Sequence, residues 1–229
     1  MPIAQQGKSV LLRISGYLVP LVQQIPPLGI FTGLMTLPVI SNIGLLFSNF
    51  NLQELRGQIQ GPWALVGPWV LVGTCVFVVG LLLALYSIVY LGLHKKHGLV
   101  TTGPYRYIRH PQYTGFLLLT IGLTGWSYWV LKNTFGVGWL TPRQTVLLWY
   151  VELGAYIVLA LIEESYMSKV FGNEYATYKS NSSFYIPFGK ARRYDILLSI
   201  LVLNLILFVV LYPSLFPPSY PSPGPSLPA

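Results

Sequence analysis

Between Pro62 and Leu93 the chain runs without one charged side chain. As an α-helix rising ~1.5 Å per residue, this run exceeds the ~30 Å hydrocarbon core of a bilayer, so it must tilt or project beyond it. The chain has too little charge to coat a water-facing surface around such a run. Only 9% of its 229 residues are charged, against about 25% in soluble domains, while 53% are hydrophobic and the mean hydropathy is +0.59. These figures exclude a soluble globular domain and, for most of the chain, disorder. What remains is an all-α polytopic transmembrane bundle.

The apolar runs predict about five spans. Val10 to Phe50 is cut by Pro26-Pro27. Its second half, Leu28 to Phe50, is long enough to cross, and its first half is either a short interfacial helix or a span of its own. Lys8 and Arg13 ahead of it give a superficial signal-peptide pattern. The stretch is too long, is broken by Pro20, Pro26 and Pro27, and shows no small-x-small cleavage site, so it is read as retained. After the polar connection Asn51 to Gly61 come Pro62 to Leu93 and then Pro111 to about Leu131. Thr141-Pro142 reads as an N-cap with proline at the first helical position. The helix it opens runs through Ile162, with a more polar continuation to Val170. A last span covers Tyr194 to Leu211, and the Pro/Ser-rich tail from Tyr212 to Ala229 is expected to be extended or disordered.

The formal net charge of +8 comes from basic residues placed between apolar runs, the pattern of topology signals and anionic headgroup contacts. No basic, aromatic-interleaved polar surface of the kind nucleic-acid binding needs is present. Nine of the 14 Lys and Arg fall in two segments, 94–110 and 163–193, on one side of a consistent up-down path. The opposite side has Arg56, Lys132 and Arg143. The two basic segments are therefore expected to be cytoplasmic, where the sequon Asn181-Ser182-Ser183 would stay unmodified. Cys75 stands alone in an apolar run and reads as a small buried side chain.

Two polar islands on that face are richer than connectors require. The first, Gly98 to Gly115, ends with Arg109 and His110 just before Pro111, at the start of a membrane helix. A helix N-terminus with unpaired N–H groups, together with these two side chains, suits a carboxylate or phosphate. Tyr113 offers a ring face and a hydroxyl on the first turn, and Gly115 lets another group approach the helix closely. Positive-inside anchoring with interfacial tyrosines would use the same residues. The second island runs from Glu163-Glu164 to Tyr178. An acidic pair there opposes the helix dipole if the helix ends at that point, and salt bridges to Arg106, Arg109 or Lys169 would account for it equally.

Glu152 and Glu163 are close to three turns apart, ~16 Å along one helix face, with Tyr156 between them. Glu152 falls near mid-membrane and should face the bundle interior, where a structural hydrogen-bonding role is the simplest reading. His94-x-x-His97 is too sparse for a metal site, and no metal is expected. No P-loop, Rossmann, zincin or nucleophile-elbow pattern occurs.

At these islands the sequence resembles the membrane methyltransferases grouped around isoprenylcysteine carboxyl methyltransferase and phospholipid N-methyltransferases. The resemblance lies in Leu99-Val-Thr-Thr-Gly-Pro-Tyr105 running into Arg109-His110-Pro111-x-Tyr113-x-Gly115. After one intervening span come Glu163-Glu164, Phe171-Gly172-x-Glu174-Tyr175-x-x-Tyr178 and Ile186-Pro187. It covers about 90 residues, from Gly98 to Pro187, and its ordered set is more specific than any single piece.

The resemblance implies an S-adenosylmethionine site on the cytoplasmic side and a lipid-like or prenylated acceptor entering from the membrane, either a prenylcysteine-type carboxylate or a phospholipid amine. By position, Tyr105, His110, Pro111, Tyr113, Gly115, Glu163 and Glu164 would form the cofactor site. Arg109, Glu163 and Glu164 would carry the catalytic roles. Arg109 would orient the motif or bind a carboxylate, and either glutamate could serve as base for an amine acceptor. The chain then divides into N-terminal membrane helices (1–93), a methyltransferase core (94–190), a C-terminal membrane helix (191–212) and the tail (213–229). Many members end soon after the Ile-Pro pair, whereas this chain adds Phe188 to Arg193 and a further span.

The residues fit the ligand on their own chemistry. S-adenosylmethionine has a carboxylate for the Arg/His cluster, an ammonium for a glutamate, an adenine for a tyrosine face and a sulfonium for aromatic rings or carboxylates. Two alternatives stand beside this reading. One is a sterol-reductase-like, NADPH-dependent membrane reductase, whose dinucleotide phosphates suit the basic loop but not Glu163-Glu164. The other is a non-catalytic membrane protein that tolerates loss of His110 or Glu163.

Overall fold

Helix formation follows the apolar runs closely. The computed structural model describes residues 27–48, 68–94, 98–133, 138–187 and 194–215. Val10 to Pro26, the Asn51 to Gly61 connection, His97, Phe188 to Arg193 and most of the Pro/Ser-rich tail lie outside the described residues.

The described elements are α1 (Pro27–Ser48), α2 (Pro68–His94), a 3-10 turn (Gly103–Arg106), α3 (Pro111–Asn133), α4 (Pro142–Asn181) and α5 (Asp195–Leu215). Helices α2 to α5 are each long and apolar enough to cross a membrane. Helix α1 has 22 residues, and its stretch Thr36–Ser48 is a shorter apolar helix, so four of the five expected spans are met among the described residues. The protein is thus an all-helical membrane bundle. The chain divides into two units, Met1–Leu37 and Pro38–Ala229. The described part of the first is the opening of α1.

In the second unit, α1 buries Val39, Asn42 and Leu46 on one face. Helix α3 is the centre of the bundle and packs against α2, α4 and α5. Nearly every residue from Pro111 to Gly125 is buried. Helix α2, by contrast, shows lipid-type side chains on most of its surface and buries only a narrow line of small residues, Gly73, Gly80, Ala84 and Ser87. That line is the seam with α3. A Cβ on Gly80 would collide with the backbone nitrogen of Leu119, and one on Gly115 with the backbone nitrogen of Ala84. Between lipid-immersed helices, where apolar surface alone gives no preference for association, such close backbone approach is the main source of attraction.

Thr141 caps α4 as expected. Its hydroxyl accepts from the Gln144 N–H while the Gln144 side chain accepts from the Thr141 N–H, a full capping box with proline following. At the other end the expectation needs correction. Helical structure does not fade at Val170 but continues to Asn181, interrupted at Gly172, which has φ 49° and ψ −120°. Only glycine takes that conformation without strain, so the helix turns there and resumes. Glu163 and Glu164 therefore lie inside a long helix rather than at its end, and the conflict with the helix dipole disappears. Glu152 is buried beside Asn42 of α1 and Thr120 of α3, facing the bundle interior as its depth requires.

Cys75 is exposed on α2 rather than buried, because the buried line on that helix admits only residues at which α3 approaches. His94 stacks on Tyr90 at 4.0 Å and its Nδ1 lies 2.9 Å from the Tyr90 carbonyl oxygen.

Candidate active site

The two polar islands meet at one end of the bundle. An isolated parallel bridge pairs Ile108 with Ser183. The Ser183 N–H donates to the Tyr107 carbonyl at 3.0 Å, the Arg109 N–H to the Ser183 carbonyl at 2.8 Å, and the His110 N–H to the Phe184 carbonyl at 3.4 Å. Thr114, on the first turn of α3, adds a hydroxyl bond to the Tyr185 carbonyl at 2.7 Å. Tyr178 donates to the Tyr105 carbonyl at 2.8 Å. The entry to α3 is thus stitched to the segment that follows α4, and α4 itself runs alongside.

Arg109 is the hub of this arrangement, with a side chain 4% exposed. Its Nε donates to Glu164 Oε1 at 2.6 Å, its Nη1 to the Lys179 and Ser182 carbonyls at 3.2 and 2.5 Å, and its Nη2 to Asp195 Oδ2 at 3.1 Å. Four of the five N–H donors of a guanidinium are engaged by protein. Glu164 receives a second cation, Lys179, whose Nζ donates to Oε2 at 2.6 Å. Of the partners foreseen for the acidic pair, Arg109 is present; Lys179 takes the place expected for Arg106 or Lys169.

His110 is buried between both carboxylates. Its Nδ1 lies 3.3 Å from Glu163 Oε2 and its Nε2 3.5 Å from Glu164 Oε1, ion-pair distances without hydrogen-bond alignment. Burial by itself lowers the pKa of the imidazole, but the two adjacent carboxylates outweigh it, and the pKa is raised above the ordinary 6.5. The ring stacks on Tyr113 at 5.4 Å and meets Phe184 and Tyr185 edge-on at 5.2 and 6.2 Å. Tyr113 donates to Glu163 Oε2 at 3.1 Å. The Tyr185 hydroxyl is buried with no hydrogen-bond partner among the described residues. Burial pushes its pKa far up, as it does for Tyr105.

His110, Tyr113, Glu163 and Glu164 therefore form one cluster with Arg109, with Pro111 opening the helix that carries it. Tyr105 lies behind, its hydroxyl donating to Gln112 Oε1 at 2.8 Å and lying 3.2 Å from the Ser87 carbonyl. Gly115 turns elsewhere. The group that approaches it closely is Ala84 of α2, so its space is occupied by a helix.

Sequence reasoning missed Lys179, Asp195 and the Phe184-Tyr185 pair. Asp195 carried a usable signal, being one of only six acidic residues and directly following a basic segment.

A cleft of about 480 Å³ adjoins the cluster. Arg109, Glu164, Lys179 and Asp195 lie at its polar end, and Leu161, Tyr194, Ile196, Leu197 and Ile200 make the rest.

The family model of the isoprenylcysteine carboxyl methyltransferase (ICMT) family matches residues 67–127, that is α2, the first island and most of α3. Protein-S-isoprenylcysteine O-methyltransferase A of Arabidopsis thaliana is 29% identical over 101 residues, 44% of this chain and 45% of that protein. The chain thus spans less than half the length of the curated relative it matches. No solved structure matches the chain significantly. The resemblance to the isoprenylcysteine carboxyl methyltransferase family read from the sequence is borne out by both matches.

Proposed function

We propose, from this family likeness, that the chain is an integral membrane methyltransferase that uses S-adenosylmethionine and esterifies the carboxylate of a prenylated cysteine. The observation that carries the proposal is the cluster itself. His110 and Tyr113 come from one island and Glu163 and Glu164 from another 50 residues on, yet they form one buried group with unsatisfied polar atoms. The relative's name, which specifies O-methylation of an isoprenylcysteine, favours the carboxylate acceptor over the phospholipid amine. Neither match favours the reductase or the non-catalytic alternative.

The residues suit the cofactor. Both ring nitrogens of His110 and the Tyr185 hydroxyl are buried without an aligned partner among the described residues, and buried polar atoms of that kind call for a polar ligand or water. Glu163, with a side chain 15% exposed, is the more open carboxylate and the natural holder of an ammonium. His110 and the Tyr113 and Tyr185 rings offer ring nitrogens and aromatic faces. Bound there, S-adenosylmethionine supplies an electrophilic methyl group on a sulfonium.

The chain's own task is alignment, because displacement at a methyl carbon needs the reacting groups in line. Tyr113 fixes Glu163 Oε2. Arg109 holds Glu164 and Asp195 in place at the polar end of the cleft. Lys179, paired with Glu164 but with its side chain 48% exposed, is a cation within reach of an incoming carboxylate. The apolar walls of the cleft suit a prenyl chain. A carboxylate acceptor carries no proton to remove, so Glu163 and Glu164 act as binding groups and not as bases. The basic end of the bundle is assigned to the cytoplasm by its Lys and Arg excess.

The test is methyl transfer from labelled S-adenosylmethionine, by protein in lipid nanodiscs, to a farnesylated cysteine with a free carboxylate. A phosphatidylethanolamine acceptor and NADPH oxidation are run in parallel. Base-labile label on the farnesylcysteine supports the proposal. Label on the amine, or NADPH consumption alone, overturns it.

A further inference from the structure

The last helix is more than an anchor. Its first turn reaches both arms of the site. Asp195 is 5% exposed and accepts from Arg109 Nη2 at 3.1 Å, while the backbone N–H of Phe184 donates to the same carboxylate. One turn later, Ser199 Oγ accepts from the Tyr185 N–H at 3.4 Å. The two aromatic residues that frame His110 are therefore held from one side by α3, through Thr114 and the His110 N–H, and from the other by α5.

A guanidinium is planar and rigid, so fixing the direction of Nη2 also fixes the direction of Nε. Nε is the group that holds Glu164 Oε1, and the same oxygen is 3.5 Å from His110 Nε2. Charge follows the same chain. Arg109, Lys179 and His110 face Glu163, Glu164 and Asp195, and Asp195 is one of the two carboxylates paired with the buried guanidinium. Loss of its charge takes from Arg109 one of its two carboxylate partners, and a buried guanidinium short of counter-charge is the condition under which buried ionic groups rearrange.

We propose that Asp195 is a positioning residue of the active site, acting through Arg109 on Glu164 and through Phe184 on His110, so that α5 is part of the catalytic machinery. This rests on the methyltransferase reading above. The family match ends at residue 127, so the role belongs to residues outside the matched segment.

The test uses the full chain in nanodiscs and compares wild type with Asp195→Asn, Asp195→Glu and Asn204→Ala. Asn204 Oδ1 of α5 accepts from Tyr150 of α4 at 2.6 Å away from the site, so its loss removes a hydrogen bond of α5 that the site does not use. Three quantities are read on the folded, monodisperse fraction. They are the Kd for S-adenosylhomocysteine by calorimetry, kcat and KM for the farnesylcysteine, and the ring-nitrogen NMR shift of His110. That signal is assignable because the chain has three histidines.

Asp195→Asn is expected to weaken S-adenosylhomocysteine and lower kcat by about tenfold or more, the scale of one charge-assisted hydrogen bond. It should also shift the His110 signal, with acceptor KM changed less. Asp195→Glu should recover part of the loss. Asn204→Ala should lower Tm but leave Kd, kcat and the His110 signal in place. If Asp195→Asn matches wild type in these readouts, or if Asn204→Ala reproduces its losses, α5 is only an anchor and the proposal falls. If Asp195→Asn does not fold, Asp195→Glu carries the test, and wild-type values from it overturn the role. A wild type that binds no S-adenosylhomocysteine and methylates nothing removes the methyltransferase reading itself, an outcome distinct from an active wild type indifferent to Asp195.

Discussion

Arg109 Nε and Glu164 Oε1 are 2.6 Å apart although 55 positions separate them in sequence, and both side chains are almost wholly shielded from solvent. A buried pair of this kind adds little stability by its presence, since desolvation offsets attraction, yet removing one partner leaves an uncompensated charge. Arg109→Ala should therefore lower stability by about 3–5 kcal/mol, read as a large fall in Tm in detergent. Arg109→Lys should rescue little, because an ammonium cannot reach Glu164, Asp195 and two carbonyls in one plane.

The seam between α2 and α3 gives a second prediction. Gly80→Ala and Gly115→Ala each place a methyl group against backbone atoms of the facing helix, which cannot move aside as a flexible side chain would. A loss of roughly 1–3 kcal/mol is expected for each, measured by unfolding in mild detergent. A methyl group on Gly154 of α4 would meet nothing within 4 Å. Gly154→Ala should be neutral or stabilising by up to about 1 kcal/mol.

His110 makes stability depend on pH in a defined direction. Its folded pKa lies above the ordinary 6.5, because Glu163 and Glu164 overcome the effect of burial. The contribution of the protonated ring is fully present below 6.5 and is lost as pH rises through the raised folded value. Tm of the wild type should fall over that range. In His110→Gln this component should vanish, which a Tm series across pH in a constant-ionic-strength buffer would check.

Tyr113 tests the arrangement of Glu163 without touching charge. Tyr113→Phe keeps the ring against His110 and Tyr156 and deletes only the hydroxyl that donates to Glu163. A hydrogen bond to a charged group contributes about 1.5–3 kcal/mol to stability, so Tm should fall modestly while methyl transfer falls roughly tenfold or more. Steady-state kinetics beside a melting curve separate the two.

Much of this was legible from the residues alone. Apolar run lengths placed the helices, Thr141-Pro142 marked the start of α4, and Arg109-His110-Pro111 and Glu163-Glu164 marked the two segments that meet in the buried cluster. What was hidden depended on which groups meet in space. Glu164 could have paired with any of several basic residues, and Lys179 was selected only because α4 turns at Gly172 and brings it back. Gly115 looked like a site residue because a glycine at a helix start permits close approach, but sequence does not say whether a ligand or Ala84 makes that approach. Asp195 was hidden by its place at the start of an apolar run, where an acidic residue already has an explanation in the helix dipole.

The central claim is that His110, Tyr113, Glu163 and Glu164 hold an S-adenosyl ligand. The most direct measurement is ligand-induced stabilisation of the purified full chain, with S-adenosylhomocysteine and NADPH titrated separately against wild type and Glu163→Gln. A ligand bound to the native state raises Tm with concentration, by mass action. S-adenosylhomocysteine should give a concentration-dependent rise for wild type and a much smaller one for Glu163→Gln, and NADPH should give none. A rise with NADPH alone, or no response from a folded wild type, would contradict the claim.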